Sequence, residues 1–202
     1  MTTFDIDKEY LEPKRKEFTT IEETYILHAL AAASNSKDPS TQVGACYVSE
    51  DGRLLSVGCN HVPRNWNEDE YPWGTKEEYG TKNNKYTYVI HAEMAGMGNY
   101  MGSVKDFKNS TLYVTLFPCT NCAKLISELG VKRIVYLNAR KNVDEFIYSS
   151  ILLNRAGIEC IDFHELCNNL EKVELDLDQN EKSNIHIVKK SDAIKLKLKK
   201  KN

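Results

Sequence analysis

Apolar and polar positions along the chain repeat with two different periods, and the changes from one to the other outline the elements. Between Thr20 and about Ala33, the apolar residues Ile21, Tyr25, Leu27, Leu30 and Ala31 follow a helical spacing. Thr20 suits the N-cap, and the apolar face is expected to pack on a sheet. Two β-rich runs follow, Gln42 to Ser49 and Leu54 to Gly58, separated by Asp51-Gly52, a strong hairpin-turn signal. From Cys59 to about Tyr86 neither period holds. After a β-rich run that ends in a strand at 88–90, the pattern predicts a helix over 91–101 and a strand from Leu112 to Leu116. A helix over 119–129 then stops at Gly130, and a strand runs from Arg133 to Leu137. The last expected elements are a helix from about Val143 to Ala156, closed by Gly157, and a short strand from Ile158 to Phe163.

Strands joined through helices imply an α/β fold, with a partly parallel sheet of five strands and helices on both faces. Ligands in such sheets sit beyond the carboxyl ends of the strands. A chain of 202 residues suits one domain and buries roughly 70% of its unfolded surface. Residues 1–18 read as an N-terminal extension, 19–178 as the domain, and 179–202 as a lysine-rich tail. Within that tail, Ile194 to Lys199 alternates like an edge strand; a solvated tail is the expectation, with nuclear entry or phosphate binding as the alternatives.

Charge and cysteine usage narrow the partners. The formal net charge is -2, so no global basic field draws the protein to nucleic acid, and a small-molecule substrate is favoured. Met1 to Lys16 is charged and lacks the apolar run of a signal peptide, and no segment is long enough to cross a membrane. A cytoplasmic location follows as the expectation, with the cysteines in a reducing environment. Cys46, Cys59, Cys160 and Cys167 are expected to be free, buried and inert. Cys59-Asn60-His61 could contribute to a second metal site, but no further ligand spacing supports one.

The chemistry concentrates in His91-Ala92-Glu93 and, 27 residues on, Pro118-Cys119-Thr120-Asn121-Cys122. Two thiolates and an imidazole give zinc three protein ligands and leave the fourth tetrahedral position open, the mark of a catalytic and not a closed structural ion. Water in that position ionises near neutral pH and becomes a nucleophile. Glu93 is then better placed as a proton shuttle than as a fourth ligand. The pairing of H-x-E with P-C-x-x-C is the signature of zinc-dependent nucleobase deaminases. A lone C-x-x-C is as often a redox pair or half of a zinc knuckle, so the two motifs carry weight together. Both ligand groups fall at expected helix starts, and a positive helix end favours the thiolate.

Further runs extend the likeness. Ser36 to Ala45 (SKDPSTQVGA), Gly58 to Arg64 (GCNHVPR), the HAE motif, and Leu112 to Ile126 (LYVTLFPCTNCAKLI) together resemble the deoxycytidylate (dCMP) deaminase family, over about residues 19 to 178. The resemblance implies the cytidine deaminase-like three-layer fold, a five-stranded mixed sheet with helices on both faces. It implies hydrolysis of dCMP to dUMP and ammonia, supplying thymidylate synthesis. By the same resemblance, His91, Cys119 and Cys122 are the Zn2+ ligands and Glu93 is the acid/base. The amide of Ala92 would read the pyrimidine carbonyl, Asn60 the sugar, and backbone carbonyls near Leu116 and Phe117 the exocyclic amine. Relatives imply dCTP and dTTP as effectors and a homo-oligomer, commonly a hexamer.

Three places depart from the family pattern. Met94-Ala95-Gly96 stands where HAE-x-Asn-Ala is common, and His61 and Asn65 replace two glycines of the loop after Gly58. The third is the stretch from Asn65 to Tyr86, with Trp66, Tyr71, Trp73 and Tyr79 and the acidic Glu68, Asp69, Glu70, Glu77 and Glu78. It reads as a lid or subunit contact, or as a surface loop pinned by Trp73. Two other functions share the zinc chemistry: a polynucleotide deaminase acting on tRNA adenosine or single-stranded DNA cytidine, and a zinc-binding regulatory protein without activity. The balanced charge opposes the first, and a positioned Glu93 opposes the second.

Overall fold

Burial on both faces of the inner strands accounts for the layers. In the computed structural model, residue 13 and residues 18–76 and 80–166 are described, with the backbone of two further strands. In β1 (Gly44–Val48) all five positions are buried, Ala45 and Tyr47 facing one side of the sheet and Cys46 and Val48 the other. A strand covered on both faces belongs at the sheet centre, and β1 lies between β2 (Leu54–Cys59) and β3 (Thr111–Leu116), antiparallel to both. Two parallel neighbours complete the order β2-β1-β3-β4-β5, with β4 at Arg133–Asn138 and β5 at Glu159–Asp162. This is the mixed five-stranded sheet expected from the sequence.

Helices cover both faces. On one side lie α2 (Ala92–Asn99), α3 (Thr120–Glu128) and α4 (Asp144–Arg155), around Phe107, Leu112, Val114, Ile126, Ile134 and Leu153. On the other, α1 (Ile21–Ala33) packs Ile26, Ala29 and Leu30 against Cys46, Val48, Tyr113 and Val135, with Phe163 of the short helix α5 (Phe163–Leu166) beside them. Gly130 and Gly157 close α3 and α4 with φ of 70° and 73°, a left-handed conformation that costs glycine nothing. Thr20 caps α1 through a reciprocal box with Glu23, as its sequence suggests.

Several expectations change. The buried stripe of α1 runs through Ile26, Ala29, Leu30 and Ala33, whereas Ile21 is 60% exposed and Ala31 faces solvent. Successive turns at 100° per residue carry those two off the face, although they are apolar. The expected strand at 88–90 does not form. Tyr88 and Val89 both donate to the Lys85 carbonyl at 2.9 Å, closing a turn, and only Ile90 meets another strand-like residue, in one bridge to His61. The last β-run also ends earlier, with Phe163 already helical.

Beyond α5, β6 (Leu170–Asp178) and β7 (Lys182–Lys189) pair antiparallel in a sheet of their own. The expected boundary at 178/179 falls between these two strands. The alternating run at 194–199, Cys167 and nearly all of the N-terminal extension lie outside the described residues. Among the described residues no helix is long and apolar enough to cross a membrane.

Candidate active site

Two helices begin at one point and bring the motif residues together. His91 is the N-cap of α2 and Cys119 the N-cap of α3, both with extended backbones, and Cys122 lies in the first turn of α3. An N-cap side chain ordinarily accepts from its own helix, yet neither His91 nor Cys119 caps in this way. They turn toward each other instead. His91 Nδ1 lies 3.4 Å from both Cys119 Sγ and Cys122 Sγ, and the three ligand atoms all fall within 4.8 Å of one another. Tetrahedral zinc, with bonds of about 2.3 Å to sulfur and about 2.0 Å to nitrogen, requires S···N edges of about 3.5 Å, so this donor set fits the ion.

The surrounding elements hold these starts in place. The pair of hydrogen bonds between His61 and Ile90 fixes the residue before His91 at the end of β2. Tyr47, fully buried under α2, donates to the Glu93 carbonyl at 3.2 Å, and its ring fills the place where a Cβ on Gly96 would come to 2.9 Å. That contact explains why glycine stands there. From α4, Ser149 donates to the Pro118 carbonyl at 2.7 Å. Glu145 accepts from the Thr120 amide at 2.6 Å and its hydroxyl at 2.8 Å, capping α3 from outside.

Electrostatics agree with a metal-ready set. Hydrogen bonding from the Cys122 thiol, aided by His91, outweighs burial and draws Cys119 down to about 4. Cys122 moves up, because Cys119 leaves it the shared proton and burial adds to the effect. The bond to Cys119 raises His91 in turn. This favours a thiolate at Cys119, and a cation would release the remaining proton. Glu93 is only 3% exposed, and burial raises its carboxyl above the ordinary range.

His91, Glu93 and Cys119 line one cleft of about 490 Å3, and Cys122 is fully buried. Ala92, Asn60, Leu116 and Phe117 also line it. Ala92 is the first residue of α2, where a backbone N–H has no partner within the helix. Asn60 is more committed than a turn residue. Its Oδ1 accepts from the Val43 amide at 2.8 Å, while Nδ2 donates to Asp38 Oδ2 at 3.2 Å and to the Thr41 carbonyl at 3.0 Å. Both amide hydrogens are therefore spent, and Asn60 faces the cleft as an acceptor.

Other lining groups carry little sequence signal. Asp38 and Lys85 form a salt bridge, their side chains 2% and 4% exposed, and Arg140 donates to Thr41 Oγ1 at 3.0 Å. Asp38 stands in an Asp-Pro turn, but nothing local marks Lys85 or Glu145 as its counterpart or as a cap. Among the described residues, Cys59 and His61 join no metal-binding group; His61 Nδ1 lies against the Val62 carbonyl. Cys160 is exposed and not buried, since β5 is a sheet edge. In the aromatic loop Trp66 stacks on Tyr71 at 4.9 Å, and Tyr71 packs on Tyr88. Tyr71 thus links Trp66 to Tyr88, and Trp73 is half-buried. Glu77, Glu78 and Tyr79 lie outside the described residues.

The profile of the cytidine and deoxycytidylate deaminase zinc-binding region matches residues 19–138. The chain belongs to the cytidine and deoxycytidylate deaminase family. Its relatives include a probable deoxycytidylate deaminase of Drosophila melanogaster, 38% identical over an alignment of 152 residues that covers 72% of this chain and 73% of the relative. The human deoxycytidylate deaminase is 34% identical over 166 residues, covering 82% and 90%. Among solved structures, the dCMP deaminase of cyanophage S-TIM5 in complex with dCMP and dUMP aligns with a TM-score of 0.56 at 28% identity, over 70% of this chain and 96% of that one. Within this family the fold is the cytidine deaminase fold, and the His-Cys-Cys group lies inside the matched zinc-binding region.

Proposed function

We propose that this chain is a zinc-dependent hydrolase that converts dCMP to dUMP and ammonia. The observation that carries the reading is a buried carboxyl, Glu93, set beside three ligand atoms that leave a tetrahedral position open in a nucleotide-sized cleft. Similarity to proteins named deoxycytidylate deaminase supports the substrate. His91 Nδ1 and the sulfurs of Cys119 and Cys122 would hold the zinc, which would supply the Lewis acidity that lets water ionise near neutral pH.

The protein groups do the rest. Glu93, raised by burial toward neutrality, accepts the proton that water gives up on adding to C4 and delivers it to the adjacent ring nitrogen. It then carries the second proton to the exocyclic amine, which leaves as ammonia while C4 becomes a carbonyl. The Ala92 amide donates to the pyrimidine carbonyl, and the carbonyls near Leu116 and Phe117 accept from the amine. Asn60 Oδ1 accepts from a sugar hydroxyl. Arg140 lines the cleft without a carboxylate partner among the described residues, which suits a phosphate. A homo-oligomer, effector roles for dCTP and dTTP, and a cytoplasmic location belong to the same proposal on the sequence alone.

Ammonia release from dCMP tests the reading. Glu93→Gln should keep one zinc per chain and lose about 10²- to 10⁴-fold in rate; an undiminished rate would remove the proton shuttle. A panel of dCMP, dCTP, deoxycytidine, single-stranded DNA and tRNA tests the substrate, and preference for a polymer overturns it.

A further inference from the structure

The wall of the cleft away from the ligand atoms is organised by a buried ion pair. Lys85 Nζ lies 2.8 Å and 2.6 Å from the two oxygens of Asp38 and 2.6 Å from Ser40 Oγ, so its three hydrogens are all engaged within the protein. It is therefore no direct ligand for a substrate. Asp38 also accepts from the Ser40 and Thr41 amides, the Ser40 hydroxyl and Asn60 Nδ2. Through that last bond the carboxylate fixes which face Asn60 turns to the cleft.

Such a carboxylate carries a hazard in this place. Arg140 reaches Thr41, whose amide rests on Asp38, so an anion held by Arg140 shares the lining of the cleft with a buried negative charge. In a low-dielectric wall, uncompensated charge of like sign repels strongly. We propose that Lys85 is a positioning residue for the nucleotide: it cancels the Asp38 charge, so that Asp38 orients Asn60 toward the sugar without repelling the 5′-phosphate. The inference rests on the proposed nucleotide reading of the cleft and adds that phosphate tolerance depends on a residue that never touches it.

The test is the ratio of affinities of the zinc-loaded full chain for dUMP and 2′-deoxyuridine, which cancels anything that affects base and sugar alike. A wild type that does not prefer dUMP refutes the nucleotide reading itself, and the inference with it. With that preference in hand, the ratio should fall at least tenfold in Lys85→Met, where Asp38 is left bare, and should not fall in Asp38→Asn, where only the cation remains. Merely structural damage would lower it in both. A fall in both, in neither, or only in Asp38→Asn overturns the proposal. If Lys85→Met does not fold, the double variant Asp38→Asn/Lys85→Met decides: a ratio within threefold of wild type supports the charge argument, and a larger loss overturns it.

Discussion

Replacing Gly58 with alanine should damage both stability and catalysis through a single added methyl group. A Cβ at position 58 on β2 would lie 2.2 Å from the Gly96 nitrogen, 2.6 Å from the Ala92 oxygen and 2.8 Å from the Ala95 carbonyl carbon. All three belong to the backbone of α2, so no side chain can swing aside. Bringing the closest of them to normal contact requires the helix to recede by roughly 1 Å. Overpacking costs about 1–3 kcal/mol, and a backbone obstacle places this case near about 3 kcal/mol. For a chain of this size that corresponds to a melting temperature lower by roughly 6–12 °C. The same helix carries His91 at its cap, Ala92 and Glu93, and a displacement of about 1 Å in groups that position a substrate costs about 10²-fold in rate.

Thermal unfolding followed by circular dichroism, together with kcat/KM for dCMP, measures both losses. Gly98→Ala is the control, on the same helix, with open space where its Cβ would go. It should be neutral or gain about 0.5–1 kcal/mol from helix propensity. If the two variants behave alike, α2 does not rest on Gly58 as described.

Two further outcomes follow from charged groups. Burial raises the Asp38 carboxyl, but its bonds to Lys85, Ser40 and Thr41 outweigh this and hold it below the ordinary 3.8. A depressed carboxyl contributes stability that is complete above 3.8 and is lost as pH falls through the folded value. Melting temperature against pH should therefore drop along an acid limb below about pH 4, and Asp38→Asn should flatten that limb; an identical limb in the variant would refute the assignment. Glu145→Ala removes the external cap of α3 and should cost about 0.5–1 kcal/mol, low in the capping range because the site is solvent-exposed. The expected drop in melting temperature is about 1–4 °C, and no drop at all would show that the contact contributes nothing.

The ligand set was legible because its chemistry dictates residue types at short spacing: one imidazole, two thiols a helical turn apart, and a carboxylate two residues from the imidazole. Elements with a clear period, such as α3 with its Gly130 stop, were legible for the same local reason. The partnership of Asp38 with Lys85 was not, because the two are 47 residues apart and Lys85 stands in a stretch without period. The cap from Glu145 reaches across 25 residues and is equally invisible along the chain. Strand 88–90 failed for the opposite reason, since its β-formers were diverted into a turn at Lys85 that aims His91 at the thiols. Burial of an apolar stripe could also not be read from composition alone, as Ile21 and Ala31 on α1 show.

The meeting of His91 with Cys119 and Cys122 spans 28 and 31 residues of sequence. In a free chain, closing a loop of that size costs about 3.5 kcal/mol of entropy. Once β3 and α3 are packed beside α2, the loop is already closed, and a cation meets its three donors without that cost. Metal affinity would thus be linked to assembly of the sheet, and an ion held there would brace two helix starts that lie far apart along the chain. A chelator would loosen the fold and stop the reaction together, so loss of activity on stripping the metal does not separate brace from chemistry. Glu93→Gln does, because it leaves the brace in place.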